Sequence, residues 1–193
     1  MSLPELYNLQ SAWIGHEKFA EWLVNKIQPE VTVDLGVDYG FSLFALALPK
    51  IGTVYGIDSF EADVHAGHHV NNYDVVMDFK EKHNFHNVKV IKGWFAEVAE
   101  TWDKPIDILH IDGLHTYTAI TEDWTNWSKF VKPTGVIIMH DVISFPELGA
   151  FFNQIGTPKA FFVHSAGLGI AVMDEQLLLD ILTEFPDCKI GNI

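Results

Sequence analysis

The segment HIDGLHTY, residues 110–117, closes an apolar run (Ile106, Ile108, Leu109, Ile111) on Asp112, Gly113 and His115. A carboxylate and an imidazole are expensive to bury without partners, so a core strand that ends on them is delivering them to a site. Imidazole titrates near neutral pH and can remove a proton from a reacting group. A carboxylate can orient that base, neutralise a cationic reactant, or hold a hard divalent ion through oxygen. His115 is therefore the candidate base and Asp112 its charge partner.

Other strand ends carry related groups. In VDLGVDYG, residues 33–40, Asp34 closes an apolar strand, and Gly36 and Gly40 frame the turn that follows. A dinucleotide fingerprint needs glycine where Asp38 stands, so that pyrophosphate can approach the backbone. A carboxylate there repels phosphate and suits an ammonium group instead. Asp58 ends TVYGID, where an acid can hydrogen-bond both hydroxyls of a ribose. An amino-acid ammonium plus a ribose, without phosphate, describes S-adenosylmethionine. His140 and Asp141 close the apolar run GVIIMHD. Strand alternation predicts that if Asp141 faces the cleft then His140 points away, unless a bulge intervenes, which favours Asp141 as a ligand.

The remaining histidines divide. His110, inside its strand, is expected to be a satisfied core residue. His65, His68, His69, His83 and His86 crowd residues 65–86, but no thiolate accompanies them and their spacing fits no closed zinc site. His65, in the loop after the second strand, and His164, before a glycine-containing turn, are candidates for the acceptor side.

A formal charge of −14, from 12 basic and 26 acidic residues, excludes nucleic acid as the main partner, because phosphate binding needs a basic face. The single Cys188 excludes an intramolecular disulfide and fits a reducing compartment. MSLPELYNLQSAW has neither a basic leader nor a long apolar one, and FSLFALAL is far short of a membrane span. A cytoplasmic, non-membrane protein is expected.

Short apolar runs alternate with amphipathic stretches, the pattern of a parallel sheet covered by helices. The spacing predicts a helix over about 9–27 and a strand at 31–36, then a helix in FSLFALAL and a strand at 53–58. A helix over about 70–84 and strands at 88–93 and 106–112 come next. They are followed by a helix over 117–131, a strand at 135–141, and a helix opening at Ser144 with Glu147 in a capping box. AFFVHSAGLGIAVMD, residues 160–174, predicts an antiparallel hairpin. The sum is one α/β domain over 1–193, a Rossmann-like doubly wound sheet of seven mostly parallel strands with helices on both faces. Ligands of such folds sit at the carboxyl ends of the strands, near the switch point.

The chain resembles class I S-adenosylmethionine-dependent methyltransferases of the family 24 type. The likeness runs through VDLGVDYGFSLFALA, VYGIDSFEADVHAG, IDILHIDGLHTYTAITEDWTNWSKFVKPTGVIIMHDV and FFVHSAGLGIAVMD. The third stretch is the most specific, with D-G-x-H-x-Y, an acid-aromatic helix, P-x-G and a closing H-D. The resemblance implies methyl transfer, with Asp34, Gly36 and Gly40 around the methionine moiety and Asp58 and Ser59 at the ribose. It puts Gly93, Trp94 and Phe95 beside the adenine, Asp112 under the sulfonium and His115 facing the acceptor.

DVHAG, residues 63–67, is similar to a segment of members associated with glycan genes, which implies an oxygen acceptor on a small or sugar-like molecule. Val64 and His68-His69 depart from that pattern. A related subgroup of sugar O-methyltransferases binds a divalent metal after the fourth and fifth strands, implying Asp112 and Asp141 as ligands for Mg²⁺ or another divalent ion. His140 replaces one acid of that pair, and Leu114 stands where the subgroup has a catalytic Asp. Two alternatives stay open: a metal-dependent hydroxylase, and a module that holds the cofactor without chemistry. The edge of the terminal hairpin offers a surface on which a homo-oligomer could form.

Overall fold

The computed structural model describes residues 4–61 and 72–193. His65, His68 and His69 lie outside the described residues. A short 3-10 turn, Pro4–Asn8, precedes helix α1, Glu17–Ile27. The chain then runs β1 (Val31–Leu35), α2 (Phe41–Ala47), β2 (Thr53–Asp58), α3 (Tyr73–Lys82), β3 (Val88–Lys92) and α4 (Phe95–Thr101). β4 (Ile106–Ile111), α5 (Tyr117–Trp127), β5 (Val131–His140) and α6 (Pro146–Gln154) follow. β6 (Lys159–Phe162), β7 (Leu168–Val172), α7 (Glu175–Glu184) and β8 (Lys189–Ile190) complete it.

The sheet has eight strands in the order β3-β2-β1-β4-β5-β7-β6-β8. β1 to β5 are parallel, while β7 runs antiparallel to β5 and β6 antiparallel to both β7 and β8. The expected seven strands are thus corrected to eight. The extra one is the two-residue edge strand Lys189–Ile190, too short to carry a periodic pattern. β4 is buried along its whole length, which explains Ile106, Ile108, Leu109 and Ile111 and obliges Asp107 and His110 to find partners. One face of the sheet packs against α1, α2, α3 and α7 through Leu23, Phe44, Val76 and Ile181. The other packs against α4, α5 and α6 through Ala99, Ile120, Trp127 and Phe152. No helix among the described residues is long and apolar enough to cross a membrane.

Several boundaries differ from the periodic reading. The helix expected from about residue 9 starts only at Glu17, because Gly15 has φ +113 and lies against the Ser165 hydroxyl. The helix expected over 117–131 stops at Trp127, and Val131 already pairs with Ile106 across a bulge in the β4–β5 ladder. The capping box at Ser144 does not form. Phe145 is the N-cap, Pro146 takes the first turn, and the Glu147 carboxylate accepts from the backbone N–H of Tyr117. Helix α7 was not expected.

The strand order reverses between β1 and β4, and the chain is tightest there. Asp112 N donates to Leu35 O at 2.8 Å, and Gly36 N donates to Ile57 O at 3.0 Å. A Cβ on Gly36, which has φ +93, would lie 1.8 Å from the Asp112 carbonyl oxygen. Gly36→Ala must therefore push β1 and β4 apart as well as strain its own backbone. A loss of about 3 kcal/mol, read as a drop in Tm of roughly 10 °C by calorimetry, is expected.

Candidate functional site

At the carboxyl ends of β4 and β5, four side chains form a closed group. His115 Nε2 lies 3.0 Å from Asp141 Oδ2 and 3.6 Å from Asp112 Oδ1. His140 Nδ1 lies 3.2 Å from Asp141 Oδ2 and 3.3 Å from Asp112 Oδ2. The expectation that His140 points away from Asp141 fails for a local reason. Asp141 has φ +63, a left-handed conformation that aspartate tolerates, and this ends the alternation of β5. His140 also contacts the Ser165 carbonyl through Nε2 at 3.0 Å. A carbonyl only accepts, so Nε2 carries a proton, while Nδ1 faces two carboxylates; His140 is an imidazolium.

Burial works against charge on His140, but Asp112 and Asp141 outweigh it and push its pKa up to about 10. The same balance lifts His115 to about 9. Burial likewise opposes ionisation of Asp112, yet His140 and His115 hold it well below the usual carboxylate range. Asp141 is also lowered, against the cost of burial, by His115 and His140. Two negative and two positive groups therefore balance inside one half-buried patch. His115 rests on the Phe145 ring, 4.1 Å between centroids, and its side chain keeps 14% of its surface exposed. Donor atoms of Asp112, His115 and Asp141 lie within 4.8 Å of one another, close enough to share one cation.

The acids of the first two strands are placed differently from each other. Asp34 is fully buried beneath the turn, bonded to His110 Nδ1 and accepting from Ser42 Oγ at 3.0 Å. Trp13 Nε1 donates to His110 Nε2 at 3.1 Å, so the His110 proton sits on Nδ1 and points at Asp34. His110 is indeed a satisfied core residue. Asp58 reaches across to the turn, with Oδ2 accepting from the N–H groups of Val37 (2.8 Å) and Asp38 (3.0 Å) and Oδ1 from Phe60 N (2.7 Å). Asp38 is the acid of the turn that faces outward, and Asn72 Nδ2 donates to it at 2.8 Å. Gly40, at φ +92, opens α2, and Ser59 Oγ accepts from Glu61 N at 3.1 Å.

Gly93 N donates to Asp58 O at 2.9 Å, which brings the end of β3 to the same edge. Trp94 beside it is 54% exposed, and Phe95 begins α4 with its carbonyl accepting from Trp127 Nε1. Behind Gly113 lies Asp123, on α5. Burial, with a smaller push from Glu122, raises its pKa from the ordinary 3.8 to about 7. Because the folded value is the higher one, this group contributes full stability only below about pH 4, and loses it as pH rises through 7. Asp123→Asn removes the titration. Unfolding curves at pH 4.5 and 8 are expected to show the wild type losing on the order of 2–4 kcal/mol more than the variant.

The hairpin brings a second histidine group close to the first. His16 is fully buried, stacks on His164 at 4.7 Å, and contacts Ser165 O at 3.3 Å through Nε2. Burial, together with His140 and His164, lowers its pKa to about 3, so it stays neutral. His164 is exposed, with Nδ1 3.2 Å from Ser165 Oγ and Nε2 3.6 Å from Asp187. It meets the Asp112–His115 group through the Ser165 segment and through His16, whose ring lies 5.9 Å from that of His140. Sequence reasoning missed His140, Asn72, Asp123 and His16 as members of this region. The H-D pair marked the first, but nothing local marked the others.

Comparison with known proteins sets this geometry in a family context. The Methyltransf_24 family model, a methyltransferase domain, matches residues 33–142. An uncharacterised protein of Sinorhizobium fredii, y4gI, is 31% identical over an alignment 147 positions long that covers 73% of this chain but only 16% of that protein. Among solved structures, the O-methyltransferase TomG of Streptomyces achromogenes, involved in tomaymycin synthesis and in complex with S-adenosylmethionine, superposes with a TM-score of 0.67. Its identity is 15%, covering 89% of this chain and 90% of TomG. A Bacillus cereus O-methyltransferase in complex with S-adenosylhomocysteine gives 0.62 at 19% identity, over 86% and 85% of the two chains. At such identities the likeness is one of fold.

Proposed function

The chain belongs to the methyltransferase-domain family whose model spans residues 33–142, and from that premise we propose that it transfers the methyl group of S-adenosylmethionine to an oxygen of a small or sugar-like acceptor. The observation that carries this reading is the convergence of Asp112, His115 and Asp141 at the carboxyl ends of β4 and β5, next to the switch point. When bound, the cofactor supplies an activated methyl on a cationic sulfur and a neutral thioether leaving group. The protein's work is then alignment and proton removal.

Backbone of the Gly36–Gly40 turn, with the outward carboxylate of Asp38, suits the methionine end, and the buried Asp34 supports that turn from below. Asp58 and Ser59 stand where a ribose would lie, and Gly93, Trp94 and Phe95 where the adenine would lie. Asp112 faces the sulfonium. His115 is charged at rest, with its Nε2 proton held between Asp141 and Asp112, so it would take up the acceptor's hydroxyl proton only in its neutral form, favoured as pH rises toward about 9. It does so as the oxygen attacks the methyl carbon and the carbon–sulfur bond breaks. Asp141 and Asp112 hold the imidazole in place for that transfer. His164 and, in the loop outside the described residues, His65 are the acceptor-side candidates.

Once Nε2 has lost its proton, Asp112, His115 and Asp141 also fit a divalent cation, offering two hard oxygens and one imidazole nitrogen within reach of a single point, and with an ion there the ion rather than His115 would activate the acceptor hydroxyl. Such an ion would lower the pKa of an acceptor hydroxyl. The test uses methyl-labelled S-adenosylmethionine with glycoside and catechol acceptors, in Mg²⁺ and in EDTA. Label is expected in an acceptor, with turnover at least about tenfold lower in EDTA and an Asp141→Ala variant that no longer responds to Mg²⁺. Tight cofactor binding without label in any acceptor would favour a non-catalytic module instead.

A further inference from the structure

Between β6 and β7 the chain turns through His164–Gly167, closed by the Gly167 N–H donating to the His164 carbonyl at 2.9 Å. Both central residues have left-handed backbone, Ser165 at φ +49 and Ala166 at φ +66, the pattern of a type I′ turn. Such turns favour asparagine and glycine at those positions, because other side chains crowd the following carbonyl. This one carries serine and alanine. Strained backbone of this kind persists only where surrounding contacts hold it, and it collects at functional sites.

Here the contacts converge on the tip of the turn. The Ser165 hydroxyl donates to the Ile14 carbonyl at 2.6 Å. The Ala166 carbonyl accepts from Ile143 N and Ser144 N, both at 3.1 Å, in the loop that leaves Asp141. The Ser165 carbonyl accepts from His140 Nε2 at 3.0 Å and meets His16 Nε2 at 3.3 Å. His16 is neutral and a carbonyl only accepts, so its proton sits on Nε2 and both lone pairs of the Ser165 oxygen are engaged. Gly15 makes room for the hydroxyl: a Cβ there would lie 2.5 Å from Ser165 Oγ. The tip therefore ties together the residues before α1, the end of β5 and the loop after it. Ile14, His16 and Ser165 all lie outside the stretch 33–142 that the methyltransferase-domain model matches.

The consequence falls on His140. With Nε2 fixed on the Ser165 oxygen, its ring is turned so that Nδ1 faces Asp112 (3.3 Å) and Asp141 (3.2 Å). Those two carboxylates in turn hold His115. We propose that Ser165 is a positioning residue for methyl transfer: its hydroxyl latches the hairpin tip to the residues before α1, and its carbonyl, so held, orients His140 and through it the Asp112–Asp141 pair. This rests on the methyl-transfer reading above.

Ser165→Gly and Ser165→Asn in the full chain test it. Both replacements suit a left-handed backbone, so Tm is expected to stay within about 3 °C of wild type in each. Glycine has no donor for the Ile14 carbonyl, whereas asparagine keeps one in its amide. Ser165→Gly is expected to lower kcat about tenfold with KM for S-adenosylmethionine changed less than about twofold, because the loosened geometry is that of the reacting groups. Ser165→Asn is expected to keep kcat within about threefold of wild type, since its amide replaces the lost donor. Nitrogen-15 NMR gives a readout independent of turnover. The His140 Nε2–H is buried and bonded, so its proton signal is expected in the wild type and in Ser165→Asn, and lost to exchange with water in Ser165→Gly. A glycine variant that keeps wild-type kcat, or whose His140 signal persists, overturns the assignment, as does an equal loss in both variants. A wild type that transfers no methyl overturns the function reading instead, and the His140 signal alone then decides whether the tip orients that ring.

Discussion

His115→Ala is expected to lower kcat for methyl transfer by about a hundredfold or more, with affinity for S-adenosylhomocysteine changed by less than about threefold. In the Asp112–Asp141 group the His115 side chain keeps 14% of its surface exposed, whereas His140 is enclosed and bonded at both nitrogens. Two carboxylates make the His115 imidazole more basic, and the Phe145 ring fixes its plane. Removing it takes away the proton's destination but leaves the β1 turn and Asp58 as they are, so the loss should fall on kcat rather than on cofactor binding. Steady-state kinetics beside a binding isotherm separates the two. A variant retaining a third or more of wild-type kcat would remove His115 from the mechanism.

The second large effect concerns the floor beneath the cofactor turn. His110→Ala is expected to destabilise the protein by about 3–5 kcal/mol, because it leaves Asp34 buried with only the Ser42 hydroxyl as partner. The carboxyl's pKa is already raised, with burial the dominant cause and His110 the main opposing influence. The double variant Asp34→Leu/His110→Leu removes both polar groups and should be less destabilised than His110→Ala alone, although the two leucines are bulkier. Denaturant unfolding gives both numbers. A loss under about 1 kcal/mol for His110→Ala would mean that the pair does not support the turn.

The sheet was legible wherever burial is two-sided. The short apolar-rich runs of β1, β2 and β4 marked strands, and Asp34, Asp58 and Asp112, at or next to their ends, marked the ligand end. Asp112, His115 and Asp141 were readable because they end strands or open the loop after one. His140 was misjudged because alternation holds only while the strand continues, and Asp141 leaves it at φ +63. The start of α6 was misplaced because Ser144 and Glu147 resemble a cap, while Pro146 at the first turn was the stronger local signal.

Helix α7 carried an available signal: Asp174 accepts from Gln176 N as N-cap, and Leu177, Leu178 and Ile181 recur at helical spacing. Strand β8 carried none. Asp123 was invisible for a different reason. In sequence it is one acid on an amphipathic helix, and its burial depends on close packing with Gly113 and Phe95 from other segments. Contacts between distant segments are what the linear pattern does not encode.

The central claim is that the carboxyl ends of β1, β2 and β4 hold a phosphate-free, positively charged nucleoside over Asp112. Isothermal titration of the chain with S-adenosylhomocysteine, and in parallel with NAD, tests it most directly. One-to-one binding of S-adenosylhomocysteine and no heat with NAD are expected. Binding of NAD, or silence toward S-adenosylhomocysteine, would contradict it.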